Sequence, residues 1–426
     1  MRIMVLGAGG FIGRHIVADL VSRGHDVLGV VRHLDNIASA FPQASFIERD
    51  LAAAIDADSW IEPLTGIDIV VNAAGLLRGR AMDAVHIAMP DALSVAAQKT
   101  GVARIVLISA ISARPDVKTD YAQSKLAGEA TLQSSGMAWT ILRPSLVYGD
   151  GSYGGTSLMR GMAGLPLFVP IPGDGHFAFT PIHVRDLART VRHVCENAHF
   201  AQQTLDPVGP DTLDLRALLA QYRAWLGFGK ANFIAVPMPL MWLMARIGDW
   251  VGDGPIATNS LVQMIVGNAG DSARFATAIG FQPRSLEKAL TDRPAQVQDR
   301  WHARLFFLAP ALQSVLVLLW LASAWLGLFH GSAQSETLVH NLGLPTSLAD
   351  PLRIGSSLMD IAIAILLIVD QRARWSTVVQ LMVVTGYTMV ISIGLPQLWL
   401  DPLGPLLKNL PILLAIALYG AIGDKR

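Results

Sequence analysis

Cysteine is almost absent from this chain. Cys195 is the only one in 426 residues. A single thiol excludes an internal disulfide and a zinc cluster, fits a reducing compartment, and reads as a small buried apolar residue. No metal site is expected. Charge is scarce as well: Asp, Glu, Lys and Arg make up 15% of the residues, against 52% apolar. The two signs cancel at 33 each, and no basic block carries interleaved aromatics, which excludes a nucleic-acid partner. A signal-peptide pattern is lacking, because the basic region would be Arg2 alone and the apolar stretch breaks into glycine after five residues. The N-terminus is therefore expected to stay in the cytoplasm.

What is present is unevenly spread. Residues 1 to about 300 have an ordinary globular mixture, and most of the remainder reads as lipid-facing helix. Near the start, the strand-forming run "RIMVL" leads into "GAGGFIG", with Gly7, Gly10 and Gly13 three apart. Apolar residues then recur at helical spacing through "FIGRHIVADLVSRG", and "HDVLGVVR" follows as a second strand. In such a strand–turn–helix unit the first glycine permits the tight turn. The second lets the backbone approach a pyrophosphate, and the third lets helix and strand pack closely. Phe11 and Ile12 open the helix whose N-terminus faces the phosphates. The unit is expected to bind a nicotinamide dinucleotide. Arg32 stands where NAD-reading enzymes usually place an acid, so NADP is favoured over NAD.

Four more strands follow in the same pattern. "SFIERDL" ends at Asp50 and Leu51, placed to meet the adenine. "DIVVNAAG" brings Asn72, Ala73 and Ala74 under the cofactor. "ARIVLISA" is the fifth strand and "WTILRPSLVYG" the sixth, with Pro144 and Ser145 expected beside the nicotinamide. Strands alternating with helices imply a parallel, doubly wound α/β sheet with ligands beyond its carboxyl ends.

Twelve residues after Ser109 comes "YAQSK". Tyr121 and Lys125 are four apart and share a helix face. A lysine there is expected to lower the phenol pKa and let Tyr121 exchange a proton with a carbonyl or carbinol. Together, "GAGGFIG", "YAQSK" and "ILRPSLVYG" resemble the extended branch of the short-chain dehydrogenase/reductase superfamily, and "PIPGDGHFAFTPIHVRDLA" is similar to its substrate-side segment. Residues 1 to about 290 more narrowly resemble the atypical group around the nucleotide-binding accessory subunit of mitochondrial complex I. The resemblance implies an NAD(P)-binding Rossmann domain over 1–290 with substrate-side segments at about 150–182 and 205–290. It also implies a catalytic Ser or Thr directly after the serine ending the fifth strand. That position is Ala110; Ser109 and Ser112 flank it as the candidates. Asp186 matches the branch but reads equally as a helix-start acid, and His183 as a packed histidine.

Residues 291–304 read as a charged linker, and residues 305–426 resemble a DoxX-like membrane domain. Four apolar segments follow: 305–329, 354–369, 376–395 and 409–423. The first runs 25 residues without a charge, long enough to span a bilayer. Arginines precede the first span and lie between the second and third, and the tail is "DKR", so a multi-pass inner-membrane protein with both termini and the Rossmann domain in the cytoplasm is expected. Asp360 and Lys408, inside or beside spans, are expected to pair or to line a polar pocket. "FIAVPMPLMWLMARIGDWVG" (233–252) either lies on the bilayer surface or is a core helix of the substrate region.

Three functions compete. One is a membrane-bound NAD(P)-dependent oxidoreductase acting on a quinone- or lipid-like substrate. The second is a non-catalytic cofactor-binding module of a membrane protein complex. The third is a nucleotide-sugar epimerase or dehydratase, which predicts a soluble protein and is disfavoured by the apolar helices.

Overall fold

Strand β1 (Arg2–Leu6) turns Ile3 and Val5 to one side of a sheet and Met4 and Leu6 to the other, and all four are fully buried. Burial on both sides requires helices on both faces. In the computed structural model, which describes all residues except 35–36, 152–153, 252–256, 371, 403 and 424–426, this sheet has seven strands. They are β1, β2 (Asp26–Val31), β3 (Ser45–Glu48), β4 (Ile69–Asn72), β5 (Arg104–Ile108), β6 (Trp139–Leu142) and β7 (Gln203–Leu205). Their order is β3-β2-β1-β4-β5-β6-β7, and every ladder is parallel. Leu6 pairs with Val30 on one side and Asn72 on the other, so the carboxyl ends of β2, β1 and β4 are flush. The chain reverses its winding between β1 and β4, where α/β sheets of this order open a ligand crevice.

Helices α1 (Phe11–Ser22) and α4 (Val184–Glu196) cover one face. Their Ile16, Val17, Leu20, Leu187, Val191 and Val194 join Ile3, Val5 and the buried Cys195 in one core. Helices α2 (Met89–Thr100) and α3 (Asp120–Ser134) cover the other, with Met89, Leu93, Ala96 and Leu132 packed on Met4 and Leu6. A third core, around Tyr148, Phe179 and Tyr222, lies in the segments that the resemblance reads as substrate-side. Those segments include α5 (Leu215–Trp225), α6 (Met238–Val251) and the parallel pair Val169–Pro172 and Phe233–Val236.

The chain divides into two units, Met1–Ala303 and Arg304–Arg426. The expected linker is only partly one, because helix α7 (Val297–His330) already begins at Val297. The second unit continues with α8 (Ala349–Val369), α9 (Arg374–Gly394) and α10 (Asn409–Ile422). A further helix, Ser332–Asn341, occupies what reads in sequence as a plain loop. Leu316, Trp320, Leu367, Val384, Ile416 and Tyr419, from all four long helices, share one core. Of the four expected spans, three are helices long and apolar enough to cross a membrane, and the fourth is the shorter apolar α10. Fourteen residues rise about 21 Å, short of a hydrocarbon core of about 30 Å. Of the segments that orient the spans, Gln371, Leu403 and the tail 424–426 lie outside the described residues.

The expected pairing of Asp360 with Lys408 does not form. The buried Asp360 carboxylate accepts from Ser323 Oγ at 2.7 Å and Tyr387 OH at 3.2 Å, while Lys408 is exposed at the start of α10. Hydroxyls on neighbouring helices satisfy the carboxylate locally, and a lysine at a helix end reaches toward polar surroundings instead.

Candidate functional site

The site is built where β1, β4, β5 and β6 end. After Leu6 the chain turns through Gly7 at φ +72°, in the left-handed region that favours glycine. A Cβ on Gly7 would also stand 3.1 Å from the Ala73–Ala74 backbone. Gly10 N donates to Gly7 O at 3.0 Å, closing the turn. Gly13 lies so close that a Cβ there would be 2.1 Å from Gly7 O. Gly10 caps α1 without a side chain, and the first turn carries no acid. A bare backbone and the positive end of the helix dipole fit a pyrophosphate. Phe11 reaches the other border: a Cβ on Gly149 would meet its ring at 3.2 Å.

Beneath this loop, Asn72 Oδ1 accepts from Ala74 N at 3.1 Å and fixes the turn after β4. Lys125 binds the same turn, donating to Ala74 O at 3.3 Å and to Ile108 O, at the end of β5, at 3.1 Å. The α3 helix that carries it starts at an N-cap, where Thr119 Oγ1 accepts from Ala122 N at 3.1 Å. Burial lowers the ammonium pKa to about 8, opposed by the nearby Glu129 charge. Tyr121 departs from the sequence-based expectation. Its phenol is pushed up to about 12 by burial, and Lys125 does not lower it, because the ammonium is aimed at the two carbonyls.

Other expected residues divide. Arg32 and Asp50 are exposed beyond β2 and β3, and Asp50 Oδ1 accepts from Ala52 N at 3.1 Å. Ile12 and Leu51 are half-buried and pack against core residues. Pro144 and Ser145 are buried after β6, but the Ser145 hydroxyl is tied to Thr180 O. Ser109 donates its hydroxyl to Glu129, which also holds the Arg143 guanidinium, with Nε at 2.9 Å from Oε1. The carboxylate thus takes the Ser109 hydrogen that a substrate oxygen would need. Ser112 is buried in the turn after β5, and its carbonyl accepts from Arg114 N at 2.8 Å. Asp186 is a structural anchor: Arg284 grips it with Nε at 2.9 Å and Nη2 at 3.0 Å. His183 caps α4, accepting from Arg185 N at 3.2 Å.

One residue was not singled out from the sequence. His86 Nε2 accepts from Leu76 N at 3.0 Å, and its Nδ1 lies 2.9 Å from Ser124 Oγ. Its ring meets Tyr121 edge-on at 5.9 Å between centroids. An acceptor at Nε2 leaves the proton on Nδ1, where it donates to Ser124. A lone histidine carries no sequence signal for such a contact.

Residues 7–164 match the NAD(P)H-binding family, and residues 317–417 the DoxX-like family. The chain joins an NAD(P)-binding Rossmann domain to a DoxX-like domain. It is 27% identical over 253 residues to a ceramide reductase from Caulobacter vibrioides, covering 58% of this chain and 78% of that one. It is 25% identical over 262 residues to NADH dehydrogenase (ubiquinone) 1 alpha subcomplex subunit 9, mitochondrial, from Mus musculus. That match covers 58% of this chain and 65% of the mouse protein, just under two thirds. A nucleoside-diphosphate-sugar epimerase from Staphylococcus aureus has a TM-score of 0.54 at 20% identity, over 68% of this chain and 99% of that one. At that identity the epimerase likeness carries the fold of the Rossmann domain and not its substrate.

Proposed function

We propose that the protein is a membrane-bound NAD(P)-dependent oxidoreductase that reduces a carbonyl of a hydrophobic, quinone- or lipid-like substrate. The observation that carries this reading is the hold on α3. Lys125 Nζ bonds Ala74 O, and Ala73–Ala74 is the same turn that Gly7 abuts, so the helix that carries Tyr121 is tied to the turn beside the glycine loop. When bound, the nicotinamide supplies the hydride. Tyr121, a phenol protonated at neutral pH, donates its proton to the substrate oxygen as that oxygen gains electron density. Lys125 spends two of its three N–H donors on backbone carbonyls and keeps one for a ribose hydroxyl or the phenol oxygen. The apolar helices of the DoxX-like domain and the ceramide reductase relative support a lipid-like substrate. Arg32 supports NADP.

A second reading, a cofactor-holding module of a membrane complex, is favoured by Ala110 and by the Ser109–Glu129 bond, which leave no free hydroxyl in the family's catalytic serine position. One experiment separates the two. Full-length protein in membranes is supplied with NADPH and a short-chain quinone or keto-lipid, and NADPH oxidation is compared with Tyr121→Phe. The enzyme reading expects a loss on the order of a hundredfold or more in turnover with NADPH affinity kept. Equal rates would leave the module reading. In the same titration, Arg32→Ala should narrow the preference for NADPH over NADH.

A further inference from the structure

Two readings of residues 233–252 stand open from the sequence: a core helix or a helix on the bilayer. In the structure, α6 has one face turned inward and one face exposed. Its inner face is Met238, Met241, Trp242 and Ala245, half-buried or buried against the substrate-side region. Its outer face is also apolar. Leu240, Leu243, Met244 and Ile247 fall at i, i+3, i+4 and i+7 and are 47%, 55%, 42% and 54% exposed. A helix at a water boundary puts polar residues on that stripe. The strand leading into it adds Ile234, 45% exposed. The two charges of this helix stand apart from the stripe or are engaged. Asp249 accepts from Thr258 N at 3.0 Å and Thr258 Oγ1 at 2.5 Å, and Arg246 is exposed beside the stripe.

We propose that α6 lies in the membrane interface, with the Leu240–Leu243–Met244–Ile247 stripe among the acyl chains. The occupant follows from the chain itself. Helix α7, long and apolar enough to cross a membrane, begins at Val297, so the unit that carries this stripe is tethered covalently to a membrane-spanning helix. An exposed apolar stripe suits a fluid apolar phase, which needs no shape complementarity. Arg246 is placed to extend its guanidinium toward lipid headgroups while its stem lies along the apolar face. The proposal is independent of the redox reading, because neither Tyr121 nor a bound nucleotide enters it.

The near-absence of cysteine makes the test direct. Cys195 is buried and serves as the labelling blank. Full-length Leu243→Cys and Ile247→Cys are labelled with an environment-sensitive fluorophore, as is Arg23→Cys at the exposed end of α1. They are reconstituted into vesicles of phosphatidylcholine and phosphatidylglycerol containing lipids spin-labelled near the headgroup. The interface reading expects several-fold stronger quenching at 243 and 247 than at 23. Quenching no stronger than at 23 would overturn it. A blue-shifted but unquenched label would overturn it too, since the stripe would then be covered by protein, either a second copy or the DoxX-like domain.

Discussion

His86 joins three groups that the sequence keeps apart: the Leu76 amide, the Ser124 hydroxyl and the Tyr121 ring. The joint works only while the imidazole is neutral. A second proton would take away the acceptor of Leu76 N and add a charge near Lys125. Burial first, and Lys125 second, lower its pKa to about 3. The native ring therefore stays neutral where the unfolded chain, titrating near 6.5, takes up a proton. The unfolded state binds more protons between these values, so stability falls as pH drops from about 6.5 toward 3. The slope approaches about 1.4 kcal/mol per pH unit in mid-window. His183, lowered to about 4 mainly by burial, acts in the same direction. His86→Gln should lower the apparent Tm of the detergent-solubilised full chain at pH 7.5 and flatten the further loss between pH 6 and 4. Thermal unfolding at several pH values checks this; curves that stay parallel to the parent would show that His86 does not carry the acid sensitivity.

Elements with a strong local period were legible in advance. "RIMVL" is β1 residue for residue, and the apolar spacing from Phe11 ends in α1 where it should, because two-sided burial and a one-sided helix stripe are written in neighbouring residues. Strand β7 was not legible. It has three residues and is defined only by its pairing with β6, more than sixty positions earlier. The site divides the same way. Gly7, Gly10 and Gly13 form the tight turn that their spacing implies, whereas the direction of the Ser109 hydroxyl is set by Glu129, twenty residues on, and then by Arg143. The phenol pKa of Tyr121 depends on burial, which spacing does not report. The glycine turn yields a sharp test at this scale. Gly13→Ala drives a Cβ to 2.1 Å from Gly7 O, so α1 and the loop must part. Nucleotide affinity should fall more than tenfold, with a Tm loss of several degrees, about what 1–3 kcal/mol of overpacking produces. Gly9→Ala, whose Cβ would sit at an ordinary 3.5 Å from Val31 Cγ1, should keep the Tm. Equal Tm values for the two variants would mean that the close approach at Gly13 contributes nothing.

At the scale of the whole molecule, the charges and the helix lengths bear on one question, which side of the membrane the last helix reaches. Arg300 and Arg304 precede the apolar part of α7, Arg372 lies between α8 and α9 and Arg374 opens α9, and Lys425 and Arg426 follow α10, which favours one side for all three. Arg353 stands at the opposite ends of the helices. Its guanidinium donates to Gly327 O at 3.1 Å and Leu328 O at 2.5 Å near the end of α7, and it pairs with Asp350, so it is held by the helix terminus instead of lying free. Helix α10 is short, yet Ile416 and Tyr419 are buried in the core shared with the three longer helices, and Asn409 Nδ2 donates to Thr388 Oγ1 of α9 at 2.8 Å. A helix packed into a bundle of spanning helices shares their solvent. Leu406 and Leu407 ahead of it lengthen its apolar reach, and Lys408 can extend toward the headgroups. We therefore expect α10 to cross. In a bacterial host, a fluorescent protein fused after Arg426 should fluoresce and a periplasm-dependent phosphatase at the same point should be silent. The phosphatase inserted after Gly343, between α7 and α8, should be active. An active phosphatase after Arg426 would mean that α10 returns without crossing, and the three long helices would then be the whole set of spans.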